Sequence, residues 1–103
     1  MDAPGFIVNR VARPYYLEAM KIVELGIASI EEVDALMEAS GFKMGPFKLM
    51  DLIGLDINLA VSKSIYDALN HPDRLAPAAL QQSFVARGEL GRKTGKGFYS
   101  YAS

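Results

Sequence analysis

Apolar residues recur at spacings of three and four from Phe6 to Leu25. Val8, Val11, Tyr15, Ala19 and Ile22 form one stripe, while Asn9, Arg10, Arg13, Lys21 and Glu24 gather on the other side. That period predicts an amphipathic helix. Pro14 lies inside it, where it removes a backbone hydrogen bond and is expected to bend the helix near Arg10, and Gly26 is the expected stop. Ser29-Ile30-Glu31-Glu32 reads as a capping box, in which serine and glutamate each satisfy a backbone N–H of the other. The helix it opens is expected to reach about Ser40, with Ile30, Val33, Leu36 and Met37 inward. Its acids, Glu31, Glu32, Asp34 and Glu38, read as an acidic surface, the first three close to the positive end of the helix dipole.

Gly41 to Gly45 reads as a turn, and Pro46 suits the first position of a third helix running to about Leu69. Leu49, Ile53, Ile57, Val61 and Ile65 make its stripe, with Gly54 inside it at a cost of up to about 1 kcal/mol relative to alanine, best explained by a close backbone crossing. Leu52, Leu55 and Leu59 lie on other faces. The helix is therefore apolar over more than the stripe of about 100° that one surface helix needs. So much apolar surface in so small a unit predicts an uncovered patch and a two-fold homodimer. After the loop Asn70-His71-Pro72-Asp73, a short helix is expected from about Pro77 to Arg87, with Leu80, Phe84 and Val85 inward and Gly88 as its cap. The last fifteen residues read as a glycine-punctuated loop ending in Phe98, Tyr99 and Tyr101. No alternation of useful length suggests strands, so the fold class is all-α, a bundle-like domain.

Composition narrows the function. A chain of 103 residues, half of them hydrophobic and 22% charged, fits a single domain with its own core, residues 1–103. A net charge of −1 argues against nucleic acid as a partner, because counterion release needs a basic face. With no cysteine and one histidine, disulfides, a cysteine nucleophile and a zinc site are set aside, and no metal is expected. No run is apolar enough for a membrane span and the N-terminus lacks a signal-peptide pattern, so the expected location is cytoplasmic.

Candidate chemistry is sparse. The phosphate-cradling signatures fail on spacing, since no Gly-Lys pair precedes Thr94 and Gly95-Lys96-Gly97 lacks a third glycine. Arg87, Arg92, Lys93 and Lys96 against Glu89 make a basic loop, open between plain solvation and a phosphate contact. His71, the only imidazole, reads as a surface or helix-terminal residue. Asp51, between Met50 and Leu52, needs a partner, either an arginine or free backbone N–H groups. Asn9, on the first helical turn, reads as a capping or surface residue, or as an amide donating to a substrate oxygen.

Three motifs together resemble one family. Pro4-Gly5-Phe6-Ile7-Val8-Asn9-Arg10 resembles the opening of the C-terminal domain of 3-hydroxyacyl-CoA dehydrogenases. Met44 to Asp56, MGPFKLMDLIGLD, resembles that family's central signature, and Gly91-Arg92-Lys93-Thr94-Gly95-Lys96-Gly97-Phe98-Tyr99 resembles its C-terminal one. Arg10-Val11-Ala12-Arg13-Pro14-Tyr15-Tyr16 is similar to the bacterial branch acting in phenylacetate and butyrate-type metabolism.

The resemblance implies a helical domain related to the C-terminal domain of 6-phosphogluconate dehydrogenase, working beside an N-terminal Rossmann domain. It implies oxidation of (S)-3-hydroxyacyl-CoA to 3-oxoacyl-CoA with NAD as cofactor, and dimerisation through this domain. The family's base, a histidine held by a glutamate, belongs to the N-terminal domain, and His71 matches no catalytic position. By motif, Asn9 matches the asparagine that faces the substrate oxygen, and Lys93 the lysine that reaches NAD. Arg92 replaces a common lysine and keeps the charge with a different donor geometry. A chain that starts three residues before a motif, with methionine in front, reads as an excised domain, inert alone. The alternatives are a natural stand-alone protein, or a non-enzymatic helical interaction module on the same scaffold.

Overall fold

The computed structural model describes residues 3–101. Five α-helices lie among the described residues: α1 (Ala3–Glu24), α2 (Ile30–Ala39), α3 (Pro46–Ile53), α4 (Leu55–Ala68) and α5 (Ala79–Ala86). Two 3-10 turns, Asp73–Leu75 and Arg92–Thr94, complete the order. The only sheet-like pairing among the described residues is a pair of isolated bridges, Gly91 with Lys96 and Lys96 with Ser100. The all-α expectation is met.

α1 runs unbroken through Pro14. It starts at Ala3, so Asn9 lies in the second turn, and a capping role at the helix start does not apply. At α2 the capping box is formed as expected, with Glu32 N donating to Ser29 Oγ at 3.1 Å and Ser29 N to Glu32 Oε1 at 3.0 Å. Val33 is buried, but Leu36 is 65% exposed, so the inward face is narrower than the spacing suggested.

The long third helix is in fact two. Gly54 has φ 107°, outside the helical range, and joins α3 to α4. Its own N–H closes α3 on Met50 O at 2.9 Å, while Leu55 N turns away to Leu90 O at 2.9 Å. An L-residue at that φ would be strained. The break turns the expected stripe apart: Ile65 is buried, but Ile53 and Ile57 are exposed. Leu55 and Leu59, read as surplus apolar faces, are core residues.

The core gathers Tyr16, Leu17 and Met20 of α1, Phe47 and Met50 of α3, Leu55 of α4, Leu75 and Phe98. Phe47 meets Phe98 edge-on at 4.8 Å between ring centres, the geometry that aromatic quadrupoles favour. Two buried aspartates close the body around this core. Asp34, expected on an acidic surface, is 1% exposed. It accepts Phe47 N at 2.9 Å, Lys48 N at 3.1 Å and Tyr99 Oη at 2.7 Å. It thereby serves the free amides at the start of α3, whose preceding residue, Gly45, has no side chain to do so. Glu38 likewise turns inward to Gly45 N at 3.0 Å and Lys48 Nζ at 3.1 Å. Asp51 accepts Phe98 N at 2.9 Å, Tyr99 N at 3.0 Å and the Tyr101 hydroxyl. Of the two partners expected for Asp51, backbone N–H groups are the ones present. Gly91 and Gly97 make the close approach possible, since a Cβ on either would come within 2.3 Å of Asp51 atoms.

Candidate functional site

The tail clasped by Asp51 carries Lys93. Thr94 Oγ1 accepts Leu90 N at 2.9 Å and bonds Lys96 O at 2.9 Å, so the 3-10 turn Arg92–Thr94 is held internally. From it Lys93 reaches the first turn of α4 and pairs with Asp56, Nζ to Oδ1 at 2.6 Å. Lys93's hydrogen bond holds the Asp56 carboxyl below its usual range, with smaller help from the Ile57 N–H. The lysine lies across Gly54, where a Cβ would come within 2.9 Å of its Nζ. Side chains of both partners stay about two-fifths exposed, 42% for Lys93 and 40% for Asp56, so the pair is reachable from solvent. The rest of the basic loop is partly neutralised: Arg87 and Lys96 both meet Glu89, at 3.1 and 3.7 Å, and Arg92 lies 5.8 Å from the Tyr101 ring centre.

Asn9 is half-buried on α1. Its main-chain oxygen accepts Arg13 Nε at 3.1 Å. The same guanidinium donates through Nη1 to Asn58 O at 3.2 Å and Ser62 Oγ at 2.9 Å, both on α4. Arg13 is buried, which pulls its pKa down, and it lies 4.9 Å from the Tyr16 ring centre. Gln81 of α5 extends the buried polar group, donating to Asn58 Oδ1 at 2.8 Å and Leu55 O at 3.1 Å. Arg13, Asn58, Ser62 and Gln81 were missed in the sequence, because each falls outside the apolar stripes that organise it. Arg13 thus ties the Asn9 main chain to Asn58 and Ser62 of α4, and Lys93, from the other end of the chain, pairs with Asp56 in the first turn of the same helix. An open apolar groove of about 770 Å³ begins a few residues past Asn9, between Val11, Ala12 and Tyr15 on one side and Phe42, Met44 and Leu49 on the other.

His71 has no place in this arrangement. It ends α4, donating its N–H to Tyr66 O at 2.8 Å, and its exposed ring pairs with Asp67 at 2.9 Å.

The chain belongs to the family of the 3-hydroxyacyl-CoA dehydrogenase C-terminal domain, whose model matches residues 5–101. It is 50% identical over 101 residues to the 3-hydroxyadipyl-CoA dehydrogenase of Escherichia coli K12, covering 97% of this chain and 21% of that protein. The crystal structure of a 3-hydroxybutyryl-CoA dehydrogenase from Escherichia coli K12 superposes with a TM-score of 0.92 at 48% identity, over 97% of this chain and 21% of the other. That of an (S)-3-hydroxybutyryl-CoA dehydrogenase from Ralstonia eutropha gives 0.86 at 41% identity, over 92% and 34%. The chain therefore spans about a fifth to a third of the length of these relatives.

Proposed function

We propose that this chain is the substrate-facing and dimerisation domain of an NAD-dependent (S)-3-hydroxyacyl-CoA dehydrogenase. What supports the reading is that α4 is joined to the surroundings of both residues that match the family's motifs: Arg13 ties the Asn9 main chain to Asn58 and Ser62, and Lys93 pairs with Asp56. The Asn9 amide is suited to donate a hydrogen bond to the oxygen at C3 of the acyl group and fix its orientation. The apolar groove beside it suits the acyl chain. Lys93 is an exposed cation on a rigid turn, which fits an anionic cofactor such as NAD. Asp56 keeps that ammonium aimed while leaving two of its three protons for a second acceptor. NAD, when bound, supplies the acceptor for the hydride leaving C3.

The 103 residues hold neither a glycine fingerprint nor a histidine placed to take the hydroxyl proton. The purified chain is therefore expected to reduce no NAD with any 3-hydroxyacyl-CoA, and measurable turnover would overturn this. In the dehydrogenase that joins this domain to a nucleotide-binding domain, Asn9→Ala should lower kcat on the order of 10²–10³-fold with NAD affinity little changed. Lys93→Ala should instead weaken NAD, an effect that fades as salt rises. Wild-type turnover in the first variant, or wild-type cofactor affinity in the second, sinks that assignment.

A further inference from the structure

We propose that Arg13 is a positioning residue for Asn9: its buried guanidinium fixes how the front half of α1 meets α4. Ile7, Val8 and Val11 are 60, 66 and 74% exposed, and from Ile7 onward the buried residues of α1 are Arg13, Tyr16, Leu17, Ala19 and Met20. Directly after Arg13, Pro14 brings no N–H, so the Arg10 carbonyl loses its helical donor. The helix is weakest across this joint, and Arg13 spans it. Nε holds the turn before the proline at Asn9 O, and Nη1 holds α4 at Asn58 O and Ser62 Oγ.

Its three acceptors are neutral oxygens. A cation buried against neutral oxygens is a costly way to fill space that a methionine would fill by packing alone. What the guanidinium adds is geometry, because its fork of donors points in fixed directions and reaches two helices at once. A lysine of equal charge ends in one donor point. It can reach Ser62 or Asn58, but it cannot place a donor on Asn9 O at the same time.

The inference rests on the reading of Asn9 as the residue facing substrate, so its test separates the two. In the joined enzyme, Arg13→Met and Arg13→Lys should each lower kcat by about ten- to a hundredfold with KM nearly unchanged, the scale of a reacting group misplaced by about 1 Å. Introduced into Asn9→Ala, Arg13→Met should cost less than about twofold more, because a residue that acts through Asn9 has nothing left to act on. Wild-type kcat in Arg13→Met, or a full second loss in the double variant, overturns the proposal. In the 103-residue chain, hydrogen exchange reads positioning directly. Arg13→Met should speed the amides of residues 7–12 about tenfold and leave residues 16–24 unchanged, since a bond to a charged donor contributes about that factor. Unchanged exchange in residues 7–12 also overturns it. Should Asn9→Ala turn over like wild type, the Asn9 reading fails, and the exchange result alone decides for or against Arg13.

Discussion

The body of the domain and the front half of α1 are tied down in opposite ways. In the body, two buried carboxylates each take two backbone N–H groups and a tyrosine hydroxyl, and their partners lie as far as 65 residues away in sequence. Tyr99 links the clasps, since its N–H goes to Asp51 and its hydroxyl to Asp34. The loss of one bond leaves the others in place. The front half of α1 is tied to α4 by the Arg13 guanidinium, and Ile7, Val8 and Val11 lie in the open. The contrast separates two kinds of support: redundant carboxylate clasps where the fold closes, and a buried guanidinium where the proposed substrate-facing side chain sits. Damage to the body should therefore read out as stability, and damage to the front of α1 as geometry.

The largest effect should come from the clasp at the tail. Asp51→Ala leaves the N–H groups of Phe98 and Tyr99 and the Tyr101 hydroxyl without their acceptor. A buried orphan costs about 1–3 kcal/mol, and because the bonds from Tyr99 and Tyr101 are only part-buried the total should be about 3–5 kcal/mol. Against a typical domain stability of about 5–15 kcal/mol, that leaves the chain near its unfolding limit. Urea unfolding checks it. A loss under about 1 kcal/mol would mean that the tail is not held by Asp51 and would erase the contrast.

Why these clasps escaped the sequence is a matter of range. The capping box at Ser29 is legible because all its partners fall within three residues. Asp34 meets its amides at positions 47 and 48 and its hydroxyl at 99, and nothing in its own helix marks it. It looks like its neighbours Glu31 and Glu32, which do face solvent. Asp51 was half legible, because a carboxylate between Met50 and Leu52 must find a partner, while the partner's identity depends on where the tail folds. The split at Gly54 was hidden by apolar residues that continue on both sides, and only the glycine marked it. The helical class itself followed from period alone. Asn9 and Lys93 came from motif likeness. Their common attachment to α4 depends on Arg13 and Asp56, polar residues whose partners are set by tertiary structure.

A middling effect is expected at the junction of the two clasps. Tyr99→Phe removes one of three bonds on Asp34 and should cost about 1–2 kcal/mol. The same bond predicts a pH dependence. Burial first, and then the hydrogen bond to Asp34, push the Tyr99 phenol well above its ordinary value. Burial and Asp51 do the same for Tyr101. Above a pH of about 10 the unfolded chain loses these protons while the folded chain keeps them, so stability should fall as pH rises. Below about 10 both states are protonated, and the contribution is fully present. Denaturant midpoints followed into the alkaline range should drop, and less steeply in Tyr99→Phe. A flat profile through pH about 11 would show that the phenols do not sit in the clasps.

The smallest effects on stability belong to the exposed apolar side chains, which occur in both regions. On the body, Leu52, Ile53 and Ile57 surround the break at Gly54, exposed by 50, 38 and 50%. On α1 the exposed set is Ile7, Val8 and Val11. A substitution at any of these should change the stability of a single chain by no more than about 0.5 kcal/mol. They should differ in association. The patch at the break sits on rigidly clasped helices and can present one fixed shape to a two-fold copy of itself, whereas the front of α1 is joined to α4 through Arg13. Light scattering at micromolar concentration should give about twice 11.2 kDa for the chain. Ile57→Ser should move that mass toward 11.2 kDa, and Val8→Ser should leave it unchanged. A concentration-independent mass near 11.2 kDa in the unaltered chain would remove the dimer from the proposed function. A Val8→Ser variant that melts several degrees lower would show instead that the front of α1 packs on the body, and the two regions would no longer differ in kind.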